Sequence, residues 1–228
     1  MNQVDITVVE DATEAARIAA ERLVEQARAG GHVVLTGGST PRLAYELAAD
    51  LEPDWSRVEV WWGDERCVPP DDERSNYGMA REALLERVSH PPRVHRIRGE
   101  LDAAEAAAEY ERELGETQLD LVLLGLGPDG HVASLFPGAP TLEERERRVV
   151  AAEAGHEPFV PRVTLTLPVL CSGRSVLFLV TGKAKAEAAR AAFVEEPSAQ
   201  TPGSLVRARD GSTVAILDRA AAASLSRS

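Results

Sequence analysis

One loop of the chain carries both a carboxylate and an imidazole. The apolar run LDLVLLGL leads into a glycine-rich turn, in which Asp129 and His131 are separated only by Gly130. Histidine titrates near neutral pH and therefore suits proton transfer. A lone histidine often has only a structural role, but a glycine-rich loop directly after a buried strand favours general acid–base chemistry centred on this histidine.

The same loop contains the pattern G-x-G-x-x-G, which is typical of dinucleotide-binding proteins. That fingerprint requires a full crossover helix after its last glycine. Pro137 and Pro140 limit any helix here to about one turn, and the pattern lies in mid-chain rather than in the first strand-to-helix turn. We therefore reject dinucleotide binding and expect no cofactor.

A second loop, TGGSTP, has the features of an anion site. Gly37 and Gly38 leave backbone N–H groups uncovered before a helix N-terminus, whose dipole favours an anion. Ser39 and Thr40 add hydroxyl donors, and Pro41 suits the first helical position. The loop lacks the Gly-Lys-Ser/Thr ending of a P-loop. A plain tight turn is the alternative to phosphate binding.

Charged residues follow two further apolar strands. Asp64, Glu65 and Arg66 come directly after VEVWW, where a carboxylate beside an arginine could position a polar substrate. The alternative is a surface ion pair. Lys183 follows SVLFLVTG at a helix start, a position unfavourable for a lysine unless an anion binds there. The alternative is that this side chain simply extends into solvent.

Alternating strands and helices must position these loops. We predict strands over 4–9, 32–36, 58–62, 93–97, 119–124, 147–152, 162–167, 175–181 and 213–217. We predict helices over 11–30, from 41 onward, and over 76–88, 102–114, 183–195 and 219–224. Near-continuous apolar strands indicate burial on both faces, as in a parallel sheet. The predicted fold class is α/β: a single three-layer domain over 1–228, with a mainly parallel, Rossmann-like sheet flanked by helices.

Ligands of open α/β sheets bind beyond the carboxyl ends of the strands. We therefore expect the site among the loops that follow Thr36, Trp62, Leu124, Leu167 and Thr181. The unusual residues described above lie in these loops.

Composition limits the partners. The 228 residues, of which 44% are hydrophobic, can bury a sizeable core, and the net charge of -12 argues against nucleic acid. Cys67 and Cys171 are too few for a disulfide framework, and no metal-ligand spacing occurs. No signal peptide or apolar run of about 20 residues is visible. We expect a cytoplasmic protein without metal or membrane partner, monomeric or weakly self-associating.

Five segments, taken together and in order, resemble the 6-phosphogluconolactonase family: TGGSTP, GDERCVP with SNYG, GLGPDGHVASLFPG, PRVTLTLP and TGKAK. They cover the chain from about Thr36 to Lys185, and the third is the most specific. The resemblance implies a single, mainly parallel α/β domain. It also implies hydrolysis of 6-phospho-D-glucono-1,5-lactone to 6-phosphogluconate in the oxidative pentose phosphate pathway.

The resemblance further implies roles for individual residues. His131 would be the general base that activates water, and Asp64 and Asp129 would be its polar partners. The residues expected to hold the phosphate and neighbouring hydroxyls are Gly37, Gly38, Ser39, Thr40, Arg66, Asn76, Arg162 and Lys183. Arg162 could equally serve strand packing. A lactone is an activated ester, and general-base catalysis contributes about 10²–10⁴-fold.

Two other functions are weighed against this one. Glucosamine-6-phosphate deaminases resemble the chain in several loops, but the resemblance places a glutamate where Phe136 stands here. Phenylalanine cannot transfer a proton, so this residue favours the lactonase. Sugar-phosphate sensor domains resemble the same fold but normally carry an N-terminal DNA-binding module. The chain starts directly on its first predicted strand, and the Asp129 and His131 pair suits turnover better than sensing.

Overall fold

The computed structural model describes residues 3–154 and 159–225. The strands are β1 (Val4–Val9), β2 (Gly31–Leu35), β3 (Val58–Trp62), β4 (Asp64–Arg66), β5 (Arg93–Val94), β6 (Leu121–Leu124), β7 (Val149–Ala152), β8 (Arg162–Leu165), β9 (Ser175–Val180) and β10 (Ser212–Asp218). The α-helices are α1 (Ala12–Ala29), α2 (Ser39–Leu51), α3 (Asn76–Ala80), α4 (Ala103–Leu114), α5 (Leu167–Leu170) and α6 (Ala186–Phe193). Short 3-10 helices cover Pro140–Glu143, Lys183–Lys185 and Pro202–Leu205, and a π-helix covers Arg81–Leu85.

A parallel sheet forms the centre of the molecule. Within the described residues it has seven strands in the order β1-β10-β9-β6-β2-β3-β5, and all neighbouring pairs are parallel. Strand β6 is buried throughout and β9 nearly so, as expected for strands covered on both faces. Helix α1 packs against α2 and contacts β9 and β10. The predicted α/β fold with a mainly parallel sheet and flanking helices is confirmed.

A second sheet is antiparallel and has three strands, of which β7 and β8 fall within predicted strands and β4 was not predicted. Its order is β4-β8-β7. The segment Asp64–Arg66, expected as a loop after β3, forms β4 and pairs with β8, so that Arg66 lies opposite Arg162. Three successive charged residues have no alternating apolar pattern, so this strand can be recognised only from its partner. The pairing holds Arg162 beside the charged residues of β4.

The predicted helices differ from the structure mainly at their ends. The helix expected over 76–88 changes from α to π geometry at Arg81, and the one expected over 183–195 begins with the 3-10 turn Lys183–Lys185. The helix expected over 219–224 is wrong, because these residues form turns. So short a segment forms fewer than two helical turns, and the few hydrogen bonds of these turns do not offset the free-energy cost of helix nucleation.

Helix α1 shows how local sequence defines an element. Asp11 caps its N-terminus by accepting the backbone N–H groups of Thr13 and Glu14, each at 2.9 Å. The side of the helix that faces the core consists of small and branched residues at helical spacing: Ala15, Ala16, Ala19, Ala20, Leu23, Val24 and Ala27.

None of the helices within 3–154 and 159–225 is long and apolar enough to cross a membrane.

Two buried tyrosines fix the backbone at the carboxyl ends of β2 and β3. The hydroxyl of Tyr45, on α2, accepts the N–H of Thr36 at 2.9 Å and donates to the Thr36 carbonyl at 2.8 Å. Tyr110, on α4, makes the same two bonds with Trp62, at 2.8 and 3.1 Å. Burial raises the pKa of both hydroxyls, which therefore stay protonated and can donate. The loops after β2 and β3 thus start from fixed points.

Candidate active site

The site lies where the order of the parallel strands reverses. Strand β2 sits between β3 and β6, and the chain continues from β2 to β3 on one side and from β6 to β9 and β10 on the other. Such a switch point opens a crevice at the carboxyl ends of adjacent strands. The loops after β2 and β6 carry the GGSTP and GPDGH segments. Strand order therefore brings together two motifs that are far apart in the chain.

A cleft of about 230 Å³ opens between these loops. The residues that line it are Thr36, Gly37, Gly38, Asp64, Arg66, Asn76, Gly125, Leu126, Gly127, His131, Ala133, Arg162 and Lys185. The loop after Leu167, expected to contribute, supplies none of this lining, and β8 contributes through its first residue instead. The predicted loops after β2, β6 and β9 do meet here, together with β4 and the start of α3.

His131 and Asp129 form a hydrogen-bonded pair in the loop after β6. Nδ1 of His131 lies 2.6 Å from Oδ1 of Asp129, and the same oxygen accepts the backbone N–H of His131 at 3.2 Å. Gly127 makes this approach possible, since a Cβ there would lie 2.0 Å from Nδ1 of His131. A carboxylate that orients one ring nitrogen allows the other nitrogen to accept a proton where the ring also faces a ligand.

Phe136 packs between the histidine and an arginine. The centroid of its ring lies 5.0 Å from that of His131, and Cζ of Arg162 lies 5.6 Å from the Phe136 ring. The phenylalanine is only 7% exposed. The position at which the deaminases resemble this chain but carry a glutamate is thus filled by an apolar ring. It supports two polar side chains and offers no group for proton transfer.

Asp64 is a buried acceptor that joins several parts of the cleft. Its Oδ2 accepts the hydroxyl of Ser134 at 2.6 Å, and its Oδ1 accepts Nδ2 of Asn76 at 3.2 Å. Nη1 of Arg162 lies 4.0 Å from Oδ2. Burial lowers the pKa of the Arg162 guanidinium, and the charge of Asp64 opposes that effect. The carboxylate therefore holds the β6 loop, α3 and β8 in one arrangement.

Glu65 serves the loop that follows β4 and does not line the cleft. Its carboxylate accepts the backbone N–H groups of Asn76 and Tyr77, both at 2.8 Å, and the hydroxyl of Ser75 at 3.0 Å. Burial raises the pKa of the Glu65 carboxyl, while these backbone bonds oppose the rise. The adjacent carboxylates of β4 thus have different surroundings: Asp64 faces the cleft, and Glu65 fixes the start of α3.

Asn76 connects this region to the glycine turn after β2. Its side-chain oxygen accepts Nη1 of Arg66 at 2.5 Å, and its Nδ2 donates to the carbonyl of Asp64 at 2.9 Å. A Cβ at position 37 would lie 1.9 Å from Oδ1 of Asn76, so Gly37 is required by close approach. Arg66 is thereby held next to the exposed backbone of the glycine turn.

Some predicted residues lie outside the lining of the cleft. Asp129 bonds to His131 without lining the cleft, and Ser39 is exposed at the start of α2. The hydroxyl of Thr40 lies 2.6 Å from that of Thr181, so it joins two loops instead. Lys183 is exposed on its 3-10 turn and does not line the cleft. Lys185, the second lysine of TGKAK, lines the cleft instead.

Sequence reasoning missed residues whose positions depend on local backbone geometry. Lys185 lines the cleft; burial lowers the pKa of its ammonium group, and the nearby charge of Asp129 opposes that effect. Ala133 also lines the cleft, with a φ of 47° that is rare outside glycine. Ser134 holds Asp64. The TGKAK segment signalled a lysine without indicating which one, and nothing in the sequence marked the alanine or the serine.

The charges of the cleft favour an anionic ligand. Within the described lining, the cations Arg66, Arg162 and Lys185 face a single carboxylate, that of Asp64. This local excess of positive charge stands against a formal net charge of -12 for the whole chain. A focused positive region on an acidic protein attracts and orients small anions. No group of three or more His, Cys, Asp or Glu side chains in the described part of the chain is placed to hold a metal ion.

Comparison with known proteins gives a consistent result. The family described as glucosamine-6-phosphate isomerases/6-phosphogluconolactonase matches residues 7–215. A 6-phosphogluconolactonase of Streptomyces coelicolor is 38% identical, over 93% of this chain and 91% of that protein. The human 6-phosphogluconolactonase is 39% identical, over 86% of this chain and 81% of its own length.

Solved structures agree with the sequence relatives. The 6-phosphogluconolactonase from Trypanosoma cruzi superimposes with a TM-score of 0.87 at 30% identity, covering 98% of this chain and 97% of that one. Both the sequence and the arrangement of elements therefore match over nearly the whole length. The chain belongs to the glucosamine-6-phosphate isomerase/6-phosphogluconolactonase family.

Proposed function

We propose that the protein is a 6-phosphogluconolactonase, an enzyme that hydrolyses 6-phospho-D-glucono-1,5-lactone to 6-phosphogluconate. The observation that carries this proposal is the pairing of His131 with Asp129 in a cleft that also presents Arg66, Arg162 and Lys185. Such a site combines a base with a region that can hold a phosphate. Relatives that are 38 and 39% identical bear this name.

His131 acts as the general base. The Asp129 carboxylate lies 2.6 Å from Nδ1, which orients the ring, keeps the proton of the neutral imidazole on Nδ1 and leaves Nε2 to accept the proton from water. The imidazole removes a proton from a water molecule as the water oxygen attacks C1 of the lactone. When the tetrahedral intermediate collapses, the bond from C1 to the ring oxygen breaks, and the imidazolium returns the proton to that oxygen. The products are a carboxylic acid and a hydroxyl group, so atoms and charge balance.

The phosphate of the substrate binds to the cationic side of the cleft. Arg66 and Lys185 supply charge, and Gly37 and Gly38 supply backbone N–H groups. Arg162, held 4.0 Å from Asp64, stabilises the developing negative charge or a sugar hydroxyl. In this arrangement Lys185 has the role that the sequence predicted for Lys183. Ser39 and Thr40 shape the turn and its link to Thr181.

The reaction requires no metal in this scheme, because a lactone is already an activated ester and a base, water and phosphate anchoring suffice. Full activity after dialysis against a chelator would agree with this proposal, and loss that Zn²⁺ or Mg²⁺ restores would contradict it.

We further propose that residues 1–228 act as one domain, monomeric or weakly self-associating. The half-buried free thiols of Cys67 and Cys171 suit the reducing cytoplasm.

One assay separates the lactonase from the related deaminase. Acid release from freshly prepared 6-phosphogluconolactone is measured with correction for spontaneous hydrolysis, and ammonia release from glucosamine 6-phosphate is measured in parallel. We expect acid release well above the spontaneous rate and no ammonia, since Phe136 cannot transfer a proton. Ammonia release without lactone hydrolysis would overturn the proposal, and binding of either compound without turnover would indicate a sensor.

A further inference from the structure

A second cavity lies at the opposite end of the sheet from the cleft. Its volume is about 440 Å³, and it shares no described lining residue with the cleft. The segment from Cys171 leads into the start of β9, and the segment from Ala208 leads into the start of β10. The two segments are joined by a bond of 3.0 Å from the N–H of Arg209 to the carbonyl of Cys171. The cavity therefore sits at the amino ends of these strands.

All the charged side chains in the described lining of this cavity are arginines: Arg145, Arg207 and Arg209. The rest of the wall is apolar, with Leu167, Pro168 and Leu205 as its larger members. This group of guanidiniums beside an apolar surface, with no lining carboxylate among the described residues, contrasts with the net charge of -12 of the chain. Anions are the ligands that such a group would select.

Arg207 is the most enclosed of the three. Its guanidinium donates to the carbonyls of Gly203, Val206 and Ala192, at 3.0, 2.7 and 2.6 Å. These bonds fix its position but leave its charge without a salt bridge among the described residues. Burial lowers the pKa of this guanidinium, because its charge is partly removed from water. A bound anion would compensate that charge.

The charges of all three arginines also affect one group, the thiol of Cys171. Burial raises the pKa of the Cys171 thiol, and a hydrogen bond with the backbone of Arg207 opposes that rise, followed by the charges of Arg209, Arg207 and Arg145. Cys171 and the three arginines line the same cavity, so the thiol lies within reach of their charges. Cys171 Sγ is itself held by the carbonyl of Leu205 at 3.5 Å.

We propose that this cavity is a binding site for an organic phosphate, whose phosphate group meets the arginines and whose apolar or aromatic body packs on Leu167, Pro168 and Leu205. The geometry and charge of the cavity carry this inference, which does not depend on the reaction in the cleft. A mononucleotide has both required parts, whereas inorganic phosphate has only the first. The site therefore favours adenosine 5′-monophosphate over phosphate.

The test measures binding of these two probes by calorimetry and locates it by alkylation. Arg145→Gln with Arg209→Gln removes two exposed cations and leaves the structural Arg207 in place. Arg17→Gln with Arg22→Gln on α1 is the control with the same change of charge. We expect the first pair to weaken binding of adenosine 5′-monophosphate by roughly 10-fold or more, and the control to change it by less than about twofold.

Alkylation by iodoacetamide, followed by peptide mass spectrometry, reports where the probe sits. Adenosine 5′-monophosphate should slow the reaction of Cys171 and not that of Cys67. Absence of binding to the wild type, equal loss of affinity in both variant pairs, or protection of Cys67 alone would overturn the proposal. Equal affinity for inorganic phosphate would contradict the role of the apolar wall.

Discussion

Two histidines of this protein bond to carboxylates at nearly the same distance, yet their surroundings differ. His131 lies 2.6 Å from Asp129, and its side chain is 22% exposed in the wall of the cleft. His95 lies 2.6 Å from Glu113 and 2.7 Å from Glu59, and its side chain is 5% exposed. The ring of His95 also stacks on Trp61, with centroids 3.9 Å apart and an interplanar angle of 4°.

The comparison shows that a histidine–carboxylate contact alone does not identify a catalytic base. His95 uses both ring nitrogens and one ring face to tie β3 and α4 to the segment after β5, which is a structural role. His131 uses Nδ1 for its carboxylate and presents its ring to a cleft that contains cations. Access to substrate and the charge of the surroundings distinguish the two.

The largest expected effect separates the two histidines directly. His131→Ala should lower kcat for lactone hydrolysis by roughly 10²-fold or more, because the general base is lost. Steady-state kinetics on freshly prepared lactone measure this, and circular dichroism checks that the variant is folded. A kcat close to that of the wild type would remove His131 from the mechanism.

Next in size is the effect of the orienting carboxylate. Asp129→Asn keeps the shape of the side chain but offers an amide to Nδ1, which favours the wrong tautomer of His131. We expect kcat to fall by about 10-fold or more, short of the roughly 10⁴-fold loss that the equivalent change causes in a serine protease triad. Asp129→Glu should recover part of the activity. Unchanged kcat in the asparagine variant would show that the 2.6 Å contact has no catalytic role.

A smaller effect distinguishes the two lysines of TGKAK. Lys185→Ala should raise KM for the phosphorylated lactone by roughly 10-fold, because a charge-assisted contact is lost. Lys183→Ala, at an exposed position outside the cleft, should change KM by less than about twofold. The comparison is made with 6-phosphogluconolactone and with gluconolactone. The reverse order of the two effects would restore Lys183 to the site.

The smallest expected effect on activity comes from His95. His95→Gln should leave kcat within about twofold but reduce the free energy of unfolding by about 1–3 kcal/mol, because a buried ring with two charge-assisted bonds is lost. Burial opposes ionisation of Glu59, yet its bond with His95 keeps the pKa of this carboxyl below its usual value of 4.5.

The sign of the pH dependence follows from that lowered pKa. The Glu59 contribution is present above the unfolded pKa and is lost as pH falls through the folded one. The stability difference between wild type and His95→Gln should therefore shrink below pH 4.5. Urea unfolding at several pH values measures it, and a difference that grows as the pH falls below 4.5 would contradict the structural role given to His95.

Much of the fold could be predicted because the main strands are apolar and bounded by clear turns. Strands β1 and β3 occur over the predicted residues, and α4 covers Ala103–Leu114 of the helix predicted over 102–114, with Asp102 as its cap. Strand β4 could not be predicted, since its three charged residues gain their conformation from pairing with β8. The missing helix over 219–224 reflects a segment too short for local sequence to decide.

The site shows a similar division. Charged and titratable residues in loops after apolar strands predicted His131, Asp64 and Arg66 as site residues, and the strand order brings them into one cleft. The choice between Lys183 and Lys185 depended on the direction of a 3-10 turn, which a pattern of residue types does not encode. The bond from Ser134 to Asp64 joins positions 70 residues apart, and only the folded chain reveals it.

The most direct test of the account is the pH dependence of kcat for the wild type on 6-phosphogluconolactone, corrected at each pH for spontaneous hydrolysis. If His131 is the general base, kcat should fall by about 10-fold per pH unit on the acid side of a single ionisation, because only the neutral imidazole accepts a proton from water. This limb should disappear from the residual activity of His131→Ala. A wild-type kcat that stays constant through the range in which histidine is protonated would contradict the central role of the Asp129-Gly130-His131 loop.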